Sequence, residues 1–211
     1  MGKLLNGING PFSGKVGTVV GTTWRGIPVI RSKPTQRKGG FSALELQQQA
    51  KFSLMNKFLR PLNTLLNQTF ETVAVQMTGF NKAFSYNVKN AITGLHPQLA
   101  VDYPMVLLGR GDLPNAALPS AASSLEGRLD FKWTDNSGKG KAIATDKAFV
   151  AAYNEELNKW KYSLDAAARN AGSCALDTTE FKGKAVHTYI GFISADGKDV
   201  TDSLYTGLVN L

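Results

Sequence analysis

Cysteine, histidine and early acidic residues are what this 211-residue chain has least of: one Cys, two His, and no Asp or Glu before Glu45. The lone Cys174 has no partner for an internal disulfide and excludes a multi-cysteine metal site. His96 and His187 are the only side chains that ordinarily titrate near neutrality. His96 precedes Pro97 in a loop-like stretch, and His187 alternates with Val186 and Thr188 as in a strand. Neither has Cys, Asp or Glu at metal-ligand spacing, and nothing pairs either one with Cys174 as a base with its nucleophile. The expectation is therefore no catalytic residue, no metal, no cofactor and no small-molecule substrate: a protein that is not an enzyme. No window approaches the roughly 18 apolar residues that span a bilayer. The opening MGKLLNGINGPFSG has one lysine and a short apolar patch, unlike a secretory signal or an anchor. The expected location is the cytoplasm, or a particle assembled there, without membrane contact.

Charge is unevenly spread. Residues 1–100 hold twelve Lys or Arg against Glu45 and Glu71, a net of +10, and residues 101–211 hold twelve against fourteen acids, a net of −2. The two sum to the chain's +8. Such asymmetry implies a polyanion partner for the front half or an acidic surface on another subunit.

The most strongly patterned stretch is FSGKVGTVVGTTWRGIPVIRSKP, Phe12 to Pro34. Val16, Thr18, Val20, Thr22 and Trp24 fall on one side at a period of two, with Lys15, Gly17, Val19, Gly21, Thr23 and Arg25 on the other. Arg25-Gly26 stands where a two-residue hairpin loop belongs, and the return strand is expected over Ile27–Ser32. Pro28 lacks an N–H and marks that strand as an edge or an opening towards a partner. The reading is a two-stranded β-ribbon, too short and glycine-rich to stand uncovered in water. Lys15, Arg25, Arg31, Lys33, Arg37 and Lys38, with Trp24 and Ile27 at the tip, are its candidate residues for a protein partner or a nucleic acid.

After the basic loop PTQRKGG, Ser42-Ala43-Leu44-Glu45 has capping-box spacing and should start a helix. Leu44, Gln48, Phe52, Met55, Leu59 and Leu62 follow at helical spacing, until Pro61 kinks or restarts the helix after Arg60. A further helix is expected from Thr78, with Phe80, Phe84 and Val88 on one face and Gly94 as its close.

From Tyr103 the period becomes alternating. Strands are expected over 104–109, 129–133, 148–153, 159–164, 173–177, 186–193 and 203–209. Seven short strands separated by turns such as Asp135-Asn136-Ser137-Gly138 indicate an antiparallel sandwich, with Leu129, Phe131 and Trp133 on one inner face and Val186, Thr188, Ile190 and Phe192 on the other. The expected fold class is α+β in two parts: a β-ribbon plus helices, then an immunoglobulin-like β-sandwich. The expected division is a basic arm over 1–40, a helical region over 41–100 and the sandwich over 101–211.

The segments Gly10-Pro11-Phe12-Ser13-Gly14-Lys15-Val16-Gly17-Thr18-Val19-Val20-Gly21 and Thr23-Trp24-Arg25-Gly26-Ile27, with Asp130-Phe131-Lys132-Trp133-Thr134-Asp135 and Gly191-Phe192-Ile193-Ser194-Ala195-Asp196-Gly197-Lys198, resemble an uncharacterised domain family of Bacteroidota genomes. The resemblance covers both ends of the chain and implies a patterned front half and a sandwich back half. It implies no activity or site residue. Gln36-Arg37-Lys38-Gly39 stands where that family often has an Asn-Pro pair.

Other short motifs have ordinary readings. Gly14-Lys15-Val16-Gly17 and Gly138-Lys139-Gly140-Lys141 lack the P-loop pattern and its strand-to-helix setting. Arg110-Gly111-Asp112 reads as a tight turn. The function expected is a non-enzymatic structural protein that self-associates into a homo-oligomer through its ribbon, as a virion-like or filament component. The alternative is a nucleic-acid-associated protein whose basic ribbon and loop follow a phosphate backbone.

Overall fold

The computed structural model describes residues 2–3, 10–24, 26–36 and 39–211. The chain divides into two compact units, Met1–Ser42 and Ala43–Leu211. It is mostly β-sheet with helices, an α+β protein. No helix among the described residues is long and apolar enough to cross a membrane.

The first unit is an antiparallel sheet of four short strands: β1 (Gly2–Lys3), β2 (Gly14–Val16), β3 (Val19–Trp24) and β4 (Ile27–Ser32), in the order β1-β4-β3-β2. The ribbon is therefore wider than the sequence pattern implied. Trp24 pairs with Ile27 across the expected tip, beside Gly26 at φ +80°. The run expected as one strand through Trp24 is broken by a second turn at Gly17, φ +58°, so Val16 pairs with Val19. Valine on both sides hides that turn from a reading of periodicity. Gly2 and Lys3 of β1 pair with Ile30 and Val29 of β4. Phe12 lies against Gly21, where an added Cβ would stand 2.3 Å from the Phe12 carbonyl oxygen. Among the described residues of this unit, Val29 is the one buried hydrophobic side chain.

In the second unit, α1 (Ala43–Leu59) runs through a 3-10 turn at Arg60–Leu62 into α2 (Asn63–Thr69), the break falling where Pro61 removes a donor. Met55, Phe58, Leu59 and Leu62 are buried, whereas Leu44 and Phe52, expected on the same stripe, are exposed. α3 (Gly79–Asn90) starts where the Thr78 hydroxyl accepts from the Asn81 N–H at 3.1 Å. It ends short of Gly94, because β5 (Ile92–Leu95) and β6 (Gln98–Val101) form a hairpin in which Gly94 has φ +82°.

Seven strands follow: β7 (Ala117–Leu125), β8 (Arg128–Thr134), β9 (Lys147–Asn154), β10 (Lys159–Ser163), β11 (Ser173–Asp177), β12 (Ala185–Ile193) and β13 (Leu204–Asn210). They form two antiparallel sheets, β11-β8-β7 and β10-β9-β12-β13. The strand expected over 104–109 is instead a 3-10 turn at Tyr103–Met105 and an irregular segment. Side chains satisfy that backbone: Asn87 bonds both N–H and C=O of Leu107 at 2.9 Å, the Ser203 hydroxyl accepts from the Leu108 N–H at 2.7 Å, and Thr69 donates to the Leu108 carbonyl at 2.6 Å. β7 was not among the expected strands.

β9 explains the layering, since both of its faces are buried. Ala148, Val150 and Ala152 join Leu129, Phe131, Trp133, Ile190 and Phe192 between the sheets, and Phe149, Ala151 and Tyr153 join Phe58, Leu59, Leu62 and Tyr189 beneath the helices. The helical region and the β10-β9-β12-β13 sheet thus share a core. Each Val, Leu, Ile or Phe side chain so buried contributes roughly 1.5–3 kcal/mol.

Candidate functional site

Hydrogen-bonded register decides which side chains of the first unit meet. Lys15 is opposite Val20, and Val20 is opposite Arg31. Residues directly opposite share a face, so Lys15 and Arg31 stand on one face, about 10 Å apart over two strand spacings. Val20, Thr22 and Trp24 lie on that same face of β3, with Ile27 and Val29 beside them on β4. The expected pattern put Lys15 on the side away from Trp24. The two-residue loop at Gly17-Thr18 reverses the parity and brings them together. Lys33 continues the register, its N–H donating to the Thr18 carbonyl at 2.8 Å. Lys15, Arg31 and Lys33 are exposed, and Trp24 and Ile27 are half-buried. The face is thus basic at one end and aromatic-aliphatic at the other. Arg25, Arg37 and Lys38, the other candidates, lie outside the described residues.

A cleft of about 420 Å³ in the second unit was not foreseen. α1 supplies Lys57 and Phe58, the turn after β6 supplies Tyr103, and the β9–β10 hairpin supplies Tyr153, Glu155 and Asn158. Phe58 and Tyr153 meet edge to face at 4.8 Å, and Tyr103 lies 6.1 Å and 5.8 Å from them. Tyr103 stacks on His187 at 3.6 Å, and His187 Nδ1 is 2.9 Å from the Tyr205 hydroxyl. Burial, then the Glu155 carboxylate, push Tyr103 and Tyr153 above the usual phenol range. Burial pulls His187 below its usual value, with Glu155 opposing. The phenols therefore stay protonated at pH 7 and the imidazole stays neutral. The cleft offers hydrogen-bond donors, aromatic surface and one carboxylate.

Burial, then Asp130, push the half-buried Cys174 thiol up to about 12, which leaves it a poor nucleophile. Among the described residues no three His, Cys, Asp or Glu are grouped to hold a metal ion. Arg110-Gly111-Asp112 is tied down, with the Gly111 N–H donating to Asp202 at 3.1 Å and the Arg110 guanidinium 5.0 Å from the Tyr86 ring centroid.

A family of unknown function (DUF6266) matches residues 11–207, which span both units. Among solved structures, the fn3 domain of the human collagen alpha-1(XX) chain is similar at 11% identity and a TM-score of 0.34. The match covers 46% of this chain and 84% of that domain. No curated protein matches the sequence.

Proposed function

We propose, for a chain that belongs to this family of unknown function, a non-enzymatic structural role: self-assembly through the N-terminal sheet, with an immunoglobulin-like sandwich displayed by the assembly. The observation that carries this reading is the poor cover of the first unit. Its four strands hold Val29 as the one buried hydrophobic side chain among the described residues, and all three residues of the edge strand β2 are exposed. Even a sheet of three or more strands needs a packed hydrophobic face for independent stability in water. A free edge offers main-chain donors and acceptors to another strand. Trp24 and Ile27 supply the aromatic and aliphatic anchors that concentrate binding energy in an interface. The net +10 of residues 1–100 against the −2 of residues 101–211 favours front-to-back contact between copies. A virion-like or filament component, assembled in the cytoplasm, fits these features. The test is solution mass across protein concentration and salt, for the natural chain and for Lys15→Pro, which removes an edge N–H. Association in the first and its loss in the second are expected; a monodisperse monomer throughout overturns the proposal.

The Lys15, Arg31 and Lys33 cluster beside Trp24 favours a second reading, association with the phosphate backbone of a nucleic acid. Three neutralised phosphates on a single strand give a slope of about −2 in log affinity against log salt. Binding that holds as salt rises, or that survives loss of all three charges, excludes it.

A further inference from the structure

The cleft between α1 and the β9–β10 hairpin has the size of a small-ligand site, about 420 Å³. Its aromatic floor is held by contacts that owe nothing to a ligand. The Trp160 indole N–H donates to the Phe58 carbonyl at 2.8 Å, the Tyr189 hydroxyl donates to the Tyr103 carbonyl at 2.9 Å, and the Tyr153 hydroxyl donates to Asn158 Oδ1 at 2.8 Å. Tyr103 is further fixed by its stack on His187. A floor fixed in advance loses little freedom when a ligand arrives.

Charge at the mouth points to the ligand's sign. The neighbouring carboxylates are already paired, Glu156 with Lys184, and Glu180 with Lys161 at 2.8 Å. Glu155 forms no ion pair among the described residues, and its charge acts on the Tyr103 and Tyr153 phenols beside it. It is exposed, at the rim of a tyrosine- and phenylalanine-lined cleft. Aromatic faces attract cations through their quadrupole, and a carboxylate alongside fixes the charge. Lys57 also lines the cleft but makes no ion pair with Glu155, and its positive charge opposes a cation instead of helping one.

We propose that this cleft binds an organic cation, a primary ammonium or guanidinium head on an alkyl stem, with Glu155 as counter-charge and Tyr103, Tyr153 and Phe58 as the surface under the stem. The proposal is independent of the assembly reading. Two sources present such a head: a free amine, and a lysine or arginine side chain of a polypeptide.

Calorimetric titration of the full chain tests it, with butylammonium for the free amine and N-acetyl-arginine amide for the side chain. Butanol and butyrate serve as neutral and anionic isosteres. Either cation binds and neither isostere does; tighter binding by the capped arginine assigns the source to a protein chain. Glu155→Gln, an isosteric change at an exposed position, weakens cation binding about tenfold or more with an unchanged melting temperature. Lys57→Met removes the like charge and tightens it. Butyrate binding lost in Lys57→Met, Glu155→Gln binding equal to the natural chain, or no heat from either cation overturns the proposal.

Discussion

Arg169 makes the most demanding test of how the sandwich is held. It opens a 3-10 turn between β10 and β11, and its side chain is wholly buried. Nε donates to Asp146 at 3.0 Å, Nη1 to the Asn136 side chain at 2.7 Å and Nη2 to the Pro114 carbonyl at 3.0 Å. The guanidinium lies 3.9 Å from the Phe192 ring centroid, and the Arg169 carbonyl accepts the Trp133 indole N–H at 2.7 Å. One residue thereby ties together the segments before β7, after β8 and before β9. Asp146 is equally buried and has one other donor, the Ile143 N–H at 2.9 Å. Arg169→Met keeps most of the apolar stem and removes the charge, leaving Asp146 enclosed without its cation. Breaking a buried pair in this way costs about 3–5 kcal/mol. At about 2–4 °C per kcal/mol for a domain of this size, the melting temperature should fall by roughly 6–20 °C. The double variant Arg169→Met/Asp146→Asn removes the stranded charge and should recover a substantial part of that loss. Thermal and urea unfolding followed by near-ultraviolet circular dichroism would measure both. A cost below about 1 kcal/mol for the single variant, or a double variant no more stable than it, refutes the reasoning that an uncompensated charge dominates.

Three further outcomes follow from the same packing. His187 has a folded pKa below its unfolded value near 6.5, because burial disfavours the imidazolium, so the unfolded chain binds the proton first. Its contribution is full above the unfolded value and is lost as pH falls towards the folded one; urea midpoints should drop between about pH 8 and 5, and less so in His187→Gln. Cys174, with its thiol pushed up to about 12, should alkylate at least about tenfold more slowly in the native chain than in urea at neutral pH, equal rates contradicting its burial. Gly191→Ala places a Cβ 2.4 Å from Phe149 Cζ and 2.8 Å from Thr201 Oγ1, and should destabilise by about 1–3 kcal/mol, with partial rescue by Phe149→Leu; a neutral result would show that the ring has room to move.

Strands of the sandwich were legible where apolar alternation was strong. Ser173–Asp177 is a strand over the expected residues, and β8, β9, β10, β12 and β13 differ from expectation by one residue at one or both ends. β7, ALPSAASSL, was not legible: it lacks β-branched residues, contains Pro119 and holds Leu118 at φ +47°. Pairing with β8 makes it a strand. The converse holds at Leu107 and Leu108, whose apolar neighbours resemble a strand while Asn87, Thr69 and Ser203 take their backbone bonds. The cleft was hidden for a different reason. Its parts come from positions 54–58, 99–103 and 153–158, and each aromatic taken alone reads as core.

Parity governs what the first unit can present. A two-residue loop pairs positions whose numbers differ by an odd amount, as Val16 with Val19 and Lys15 with Val20. Across such a loop the alternation seen in sequence reverses, so Lys15 leaves the side of Gly21 and joins Arg31, Trp24 and Ile27. The Gly26 turn has the same length and repeats the reversal, which is why Arg31, odd-numbered like Lys15, returns to the shared face. A basic end and an aromatic end on one face therefore require two loops of matched length, and composition alone contains no trace of that. Gly17 and Gly26, both at positive φ, are the residues that permit the two short loops. The chemistry offered to a partner is set by turn geometry before any side chain is chosen.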